Sequence, residues 1–429
     1  MLDIKFVREN VDLVRENIAK KFQDDKLPLV DEVLKLDEKW RKEKYAADGL
    51  RAKRNKVSEE INQLMKGGKK KEAQVLIQEA KEIPAAIKES EEVEQRLWNE
   101  LREKLSGIPN IMSDRVPIGK DDSENVVEKV YGKPKDPKFD LKGHVELLEE
   151  LGMADFESSS DVAGTGFFYM EGDLALLNRA LINYTIDKMV KHGFRYIETP
   201  LLLRGDVINR VTDLHDQENM IYRIENDDLA LIGTSEHSLI GRFVDKEVNV
   251  KDLPIKHTSY SMCFRKEIGS HGIDEKGLFR THQFNKVEMV VICKPEESDD
   301  YFEKMKKISV EILKDLGLPI RVLKICSGDL GDLKKEQVDI EVYSPRRKGY
   351  IEAGSCSNLT DCQARKLGIT TRIKGERVVP HTLNNTALAT PRPLVAILEN
   401  NQQKNGTVKV PKVLIPYMGG KEVIGKKEK

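Results

Sequence analysis

The sequence predicts an α+β protein: an N-terminal antiparallel helical coiled-coil hairpin, then a larger domain built on an antiparallel β-sheet flanked by helices. Three observations lead there. Apolar residues between positions 27 and 105 keep a seven-residue beat, broken once by KGGKK at 66–70. Pro109, Pro117, Pro134 and Pro137 then fall among Gly, Asp and Lys. Beyond residue 140, strand-like apolar runs alternate with helical periodicity. The chain therefore divides into an N-terminal domain over 1–105, a linker over 106–140 and a main domain over 141–429.

The hairpin comes first. Val33, Trp40, Ala47 and Ile61 share one heptad register, interrupted by Arg54. Leu36, Leu50, Val57 and Leu64 share the register three later, interrupted by Glu43. After the Gly-Gly turn the beat resumes at Ala73, Leu76, Ala80, Ile83, Ile87, Leu97 and Leu101. Two such stripes joined by a turn describe an antiparallel helix pair. A helix from Val30 to Met65 spans roughly 54 Å. Pro84 predicts a kink or stagger in the second helix, and Trp98 reads as packing. From Arg51 to Lys71 there are eight basic residues and two acidic ones, whereas Glu89 to Glu103 is mostly acidic. A positive tip suits a phosphate backbone, with Arg51, Lys53 and Lys56 as candidate contacts. The competing reading is a solvated coiled-coil surface.

Composition narrows the function classes. Of 429 residues, 39% are hydrophobic and 34% charged, and the net charge is −1, so nucleic-acid affinity needs a local patch. The start, MLDIKFVREN, reads as neither a secretory signal nor a transit peptide. No apolar run approaches a membrane span. The five cysteines lie between Cys263 and Cys362 with no CxxC pair, which reads as reduced thiols in a cytoplasmic protein. Cys356 and Cys362 have no matching His pair, so they read as buried thiols and no zinc is expected.

The main domain follows. Asp173 to His192 is helical in period, and helices are predicted at 298–316 and 393–400. Strands are predicted at FRYIETPLLL (194–203), LALIGTSEH (229–237), IKHTSYSMCF (255–264), THQFNKVEMVVI (281–292) and QVDIEVY (337–343). SMCFRKEIGS places Arg265 and Glu267 directly after an apolar run, with a loop through Gly269, Gly272 and Gly277 beyond. If 255–267 pairs with 280–292, alternation puts Arg265, Glu267, Arg280, Phe284 and Glu288 on one surface. Arg suits phosphate, Phe suits a planar base and Glu suits an amine. A salt-bridged sheet face is the other reading. Near the C-terminus Arg392 stands beside Pro393 at the start of an apolar helix, and a helix N-terminus with an Arg beside it favours a polyphosphate.

These residues carry a resemblance. YSMCFRKEIGS with GLFRTHQFNKVE resembles motif 2 of the class II aminoacyl-tRNA synthetases, ATPRPLVAILEN resembles motif 3, and FRYIETPLLL resembles motif 1. Within that class TSE at 234–236, EAGSCSN at 352–358, HTLNNTAL at 381–388 and the hairpin are similar to seryl-tRNA synthetases. The match covers nearly the whole chain. It departs in EAGS where many members have EISS, and in Arg365-Lys366 where an Arg pair is common.

The resemblance implies a class II catalytic domain that activates L-serine with ATP and Mg²⁺ and transfers it to the terminal adenosine of tRNA(Ser), and of tRNA(Sec) where one exists. It implies serine contacts at Thr234, Ser235, Glu236, Arg265, Glu288 and Thr386. It implies ATP contacts at Arg265, Lys266, Glu267, Thr281, Phe284, Glu352, Ala353, Gly354, Ser355 and Arg392, with Mg²⁺ at Glu352 and Ser355. Thr234 and Glu236 are expected on one strand face with Ser235 opposite, and a bulge at Gly354 is needed to bring Glu352 and Ser355 together. Motif 1 implies a homodimer. Two alternatives stay open: a class II synthetase for threonine or proline, and a non-catalytic tRNA-binding homologue, against which the retained Arg265 and Arg392 speak.

Overall fold

The computed structural model describes residues 1–135, 137–212, 217, 219–267 and 277–425. Contacts divide the chain into two compact units, Met1–Pro109 and Asn110–Lys429.

The first unit begins with two short helices, α1 (Ile4–Glu9) and α2 (Val11–Lys20). The long helix α3 (Leu27–Lys66) follows, and after the Gly-Gly turn come α4 (Lys70–Ala80) and α5 (Ile83–Ser106). The predicted interruption at Pro84 is a full break: Pro84 sits in the first turn of α5, where a missing N–H leaves no bond unmade. Val30, Val33, Leu36 and Ala47 of α3 are buried, as are Ile83, Ile87, Leu101 and Leu105 of α5. Trp40 and Trp98 stack across the pair with ring centroids 4.7 Å apart. The two irregular seam positions have local explanations. Glu43 accepts a 2.7 Å hydrogen bond from Ser90 on the opposite helix, and Arg54 turns aside to Asn55.

The second unit is built on a sheet that has eight strands among the described residues: β1 (Val126–Tyr131), β2 (Arg195–Tyr196), β3 (Ile255–Phe264), β4 (Gln283–Cys293), β5 (Ile320–Lys324), β6 (Glu336–Ser344), β7 (Gly349–Thr360) and β8 (His381–Ala389). Their spatial order is β1-β5-β6-β7-β8-β4-β3-β2. All neighbours are antiparallel except β2 and β3. The stretch 106–140, expected as a linker, therefore supplies an edge strand. Its prolines flank β1 and leave the strand's own donors intact.

The helices α6 (Gly172–Lys191), α7 (Ser235–Gly241), α8 (Ser298–Asp315), α9 (Cys362–Leu367) and α10 (Pro391–Asn401) complete the parts that matter for the site. Alternation along β4 explains its two jobs. Val287, Met289, Val291 and Cys293 point into the main core with residues of α6, α8 and α10. Phe284, Lys286 and Glu288 lie on the other face, continued by Val290 and Ile292 in a second core that includes Leu239 and Ile240 of α7.

Three expectations need correction. The strand predicted over 229–237 ends at Leu231; Thr234 is instead the N-cap of α7, its hydroxyl accepting from the Glu236 N–H at 3.3 Å. A Thr before a helical run is a capping signal that outweighs β-propensity here. The strand predicted over 194–203 is two short pieces, Arg195–Tyr196 and Leu202–Arg204, separated at the Thr199-Pro200 step. The C-terminal helix starts at Pro391 rather than Pro393, so Arg392 lies in its first turn. Gly269 and Gly272 of the predicted loop lie outside the described residues; Gly277 has φ +80°.

Candidate active site

The paired strands converge as the register dictates. Cys263 lies opposite Phe284, Ser261 opposite Lys286, and Ser259 opposite Glu288. On the other side of β4, Glu288 lies opposite Thr386 of β8. Arg265 and Glu267, expected to extend the strand, come after its end at Phe264. Glu267 has φ +49°, a left-handed conformation that a non-glycine residue adopts only when its surroundings hold it. Arg280 donates to Glu267 at 3.3 Å. The Arg265 backbone N–H donates to His282 O at 2.9 Å, its Nε donates to Gly233 O at 3.2 Å, and its guanidinium lies 5.3 Å from the Phe284 ring centroid. Arg265 is thereby held by contacts within the chain itself.

Two cavities meet at Arg265, Lys286, Glu352, Ser355 and Thr386. The larger, about 810 Å³, takes in Thr234, Glu236 and Glu288. The smaller, about 310 Å³, takes in Glu267, Thr281, Phe284 and Arg392, together with Ala353 and Gly354. Of the residues singled out in sequence, Ser235 and Lys266 line neither cavity. The Ser235 hydroxyl donates to Ser259 O at 3.2 Å and is buried, and the Lys266 N–H donates to Met220 O at 3.0 Å.

The bulge required between Glu352 and Ser355 is present, one residue earlier than expected. Ile340 pairs with Gly354 and Glu341 with Glu352, so Ala353 is the extra residue. Gly354 has a packing reason: a Cβ there would stand 2.8 Å from Thr386 Cβ. A second bulge follows Thr386, between Thr386 and Leu388, and Ser309 of α8 donates to Thr386 O at 2.8 Å. Both bulges re-aim side chains into the cavity.

Charge in the larger cavity is unusually buried. Glu288 is 2% exposed; its Oε2 lies 2.5 Å from Lys286 Nζ and accepts from the Thr234 hydroxyl at 3.3 Å. Burial pushes the Glu288 carboxyl up, while Lys286 pulls it down. Glu236 accepts from Gln363 of α9 at 2.8 Å. His237 is pushed down to about 3 by burial and by Arg265 and Lys286, so it stays neutral and donates no charge to the site. Asp339, directly opposite Ser355, is pushed up to about 7 by burial and by neighbouring Glu352.

Lys286, Gln363, Asn384 and Phe279 line the cavities and had no role assigned from sequence. Lys286 was within reach of sequence reasoning, because it stands between Phe284 and Glu288 on the same strand face. Gln363 carries no local signal; only the fold brings α9 to Glu236. Phe279 lies against two guanidinium groups, Arg347 at 4.1 Å and Arg392 at 5.2 Å.

The oxygen donors that could take a divalent cation stand beside Arg392, which donates to the Glu352 carboxylate at 3.0 Å. Glu352 and Ser355 offer oxygen ligands at the cavity junction, and the Asp339–Glu352 repulsion is the kind a hard cation relieves. Among the described residues no group of three or more His, Cys, Asp or Glu side chains is arranged to hold a metal by itself.

In the arm unit, Arg51 is engaged by Glu91 at 2.9 Å and Asp48 at 2.6 Å, whereas Lys53 and Lys56 are exposed. No helix among the described residues is long and apolar enough to cross a membrane.

Known proteins resemble the chain in both of its units. Residues 1–112 match the seryl-tRNA synthetase N-terminal domain, and residues 220–401 match the tRNA synthetase class II core domain (G, H, P, S and T). The serine–tRNA ligase of Methanocella arvoryzae is 45% identical over 428 residues, covering 99% of this chain and 100% of that protein. The crystal structure of seryl-tRNA synthetase from Pyrococcus horikoshii complexed with ATP superposes with a TM-score of 0.90 at 39% identity, covering 100% of both chains. The cytoplasmic serine–tRNA ligase from Naegleria fowleri in complex with AMP superposes with a TM-score of 0.86 at 34% identity, covering 100% of this chain and 99% of that one. With both domains matched and relatives aligned from end to end, the chain belongs to the seryl-tRNA synthetase family.

Proposed function

We propose that the chain activates L-serine with ATP in the joined cavities and passes it to tRNA(Ser), with each residue in the role its position supports. One observation carries the reading: the buried carboxylate Glu288 faces a polar cavity beside Thr234 and Thr386, with the fixed guanidinium of Arg265 at the junction to a second, aromatic-walled cavity.

Glu288 takes the serine ammonium. The hydroxyl of serine meets Glu236, with Thr234 and Thr386 beside it. A pocket that hydrogen-bonds this hydroxyl rejects alanine, because its own buried polar groups are then left unpaired. Threonine is rejected by volume, its extra methyl being expected to clash beside Thr386, which lies so close to Gly354 that a Cβ there would stand 2.8 Å from the Thr386 Cβ. In the other cavity Phe284 stacks on the adenine, Glu267 and the Thr281 backbone contact the base, and Arg392 takes the γ-phosphate. Bound Mg²⁺, held by Glu352 and Ser355, supplies further neutralisation of phosphate charge.

The carboxylate of serine is already a nucleophile, so no general base is needed. It attacks the α-phosphorus, and the bond to pyrophosphate breaks. Arg265 holds both the attacking carboxylate and the α-phosphate and stabilises the charge that develops between them. The adenosine hydroxyl at the tRNA 3′ end then attacks the serine carbonyl and AMP leaves. Cytoplasmic location and a homodimer complete the proposal. The motif 1 stretch supports a partner surface, since Leu201 and Leu202 are exposed apolar residues at 37% and 40%.

Glu288→Gln tests the reading. Replacing a buried carboxylate that faces an ammonium loses a charge-assisted bond worth about 1.5–3 kcal/mol. The serine KM is therefore expected to rise roughly 10- to 100-fold with the ATP KM nearly unchanged. Separate titrations of the two substrates in pyrophosphate exchange measure this, and equal losses for both would remove Glu288 from the serine site.

A further inference from the structure

Lys286 shares the junction of the two cavities with Arg265, Glu352, Ser355 and Thr386. Its ammonium lies 2.5 Å from Glu288 Oε2, with side-chain exposures of 9% for Lys286 and 2% for Glu288. It borders both the amino-acid cavity and the nucleotide cavity. Its cross-strand neighbours are small, Ser261 on β3 and Ala389 on β8, so the flexible stem has room to swing while β4 holds its Cα. Arg265 differs: it is tied to Gly233 and lies over Phe284.

We propose that Lys286 is a placeholder cation that neutralises Glu288 in the serine-free site and is displaced by the substrate ammonium toward the ATP phosphates, coupling the binding of the two substrates. The inference rests on Glu288 being the ammonium site. A buried carboxylate without a partner is strongly unfavourable, and so is a buried ammonium. In the empty pocket the two satisfy each other. When serine's ammonium takes Glu288, Lys286 loses its counter-ion, and the nearest place where negative charge arrives is the phosphate side of the junction. There it joins Arg265 and Arg392. Each substrate thus prepares the site for the other, and linkage makes the factor reciprocal.

The test uses the full chain and α,β-methylene-ATP, whose P–C bond prevents reaction. Its dissociation constant is measured by calorimetry with and without saturating L-serine, in wild type and in Lys286→Met and Lys286→Gln, which keep length and remove charge. Serine is expected to tighten nucleotide binding at least about fivefold in wild type and less than about twofold in both variants. Binding of the nucleotide alone reports that each variant retains its site. Coupling of wild-type size in the variants, or its absence in wild type, overturns the proposal. Serine binding to Glu288→Gln is measured in parallel. An affinity unchanged from wild type would remove the ammonium assignment itself, a failure distinct from loss of coupling alone.

Discussion

Arg265→Ala is expected to reduce serine-dependent pyrophosphate exchange by roughly 10²–10³-fold, the loss typical when one donor to developing transition-state charge is removed. The structural reason is its fixed position. Its Nε donates to Gly233 O and its guanidinium lies 5.3 Å from the Phe284 ring centroid. A side chain held by the chain's own groups spends little conformational entropy when it takes the carboxylate and α-phosphate. Initial exchange rates at saturating serine and ATP measure the effect, and an unchanged rate would rule the role out.

Replacing residues 40–95 with a short Gly-Ser linker is expected to leave exchange nearly intact and to reduce tRNA charging sharply. The base of the hairpin is expected to survive this deletion, because buried Val30, Val33 and Leu36 of α3 and buried Leu101 and Leu105 of α5 are all retained. What goes is the distal part of a 40-residue helix and its basic tip. This part belongs to the arm unit and contributes no residue to either cavity. Contacts there are expected to be with phosphate and sugar, which recognises shape more than base sequence. A finer version substitutes Lys53 and Lys56 with Ala. The slope of log affinity against log salt should then flatten by about 0.7–0.9 per lost phosphate contact. Arg51 is a weaker candidate than its charge suggests, since Glu91 and Asp48 already engage it. Charging that survives the deletion unchanged would contradict the account, as would loss of exchange in a folded deletion protein.

The sequence made parts of this architecture legible, for identifiable reasons. The hairpin is local: its heptad stripes need only the chain on either side of one turn, and even the Glu43 irregularity is visible as a polar residue in the seam. Strand β3 is predicted at its observed bounds because it is a run of strand-forming residues ending in Met-Cys-Phe, directly before the charged Arg265, Lys266 and Glu267. The TSE stretch reads as a strand because three residues cannot distinguish a strand end from a helix cap, and in the fold the Thr234 cap decides it. Strands β1, β5 and β8 carry no such signal, because their residues are ordinary in isolation and become strands by pairing with distant neighbours. The site followed the same division. Arg265, Phe284 and Glu288 announce themselves in one short stretch, whereas Gln363 and Asn384 reach the cavity only through the folded sheet. Lys286 shares the strand face of Phe284 and Glu288, but a lysine there reads as solvated until a 2%-exposed carboxylate is found against it.

The most direct test of the central claim is amino-acid-dependent exchange of pyrophosphate into ATP, run with the full chain against each of the standard amino acids. The account predicts strong exchange with serine, at least two orders of magnitude weaker exchange with alanine, and little with threonine, since the pocket both hydrogen-bonds the hydroxyl and limits volume beside it. Exchange driven by threonine or proline in preference to serine, or no exchange with any amino acid, would contradict it.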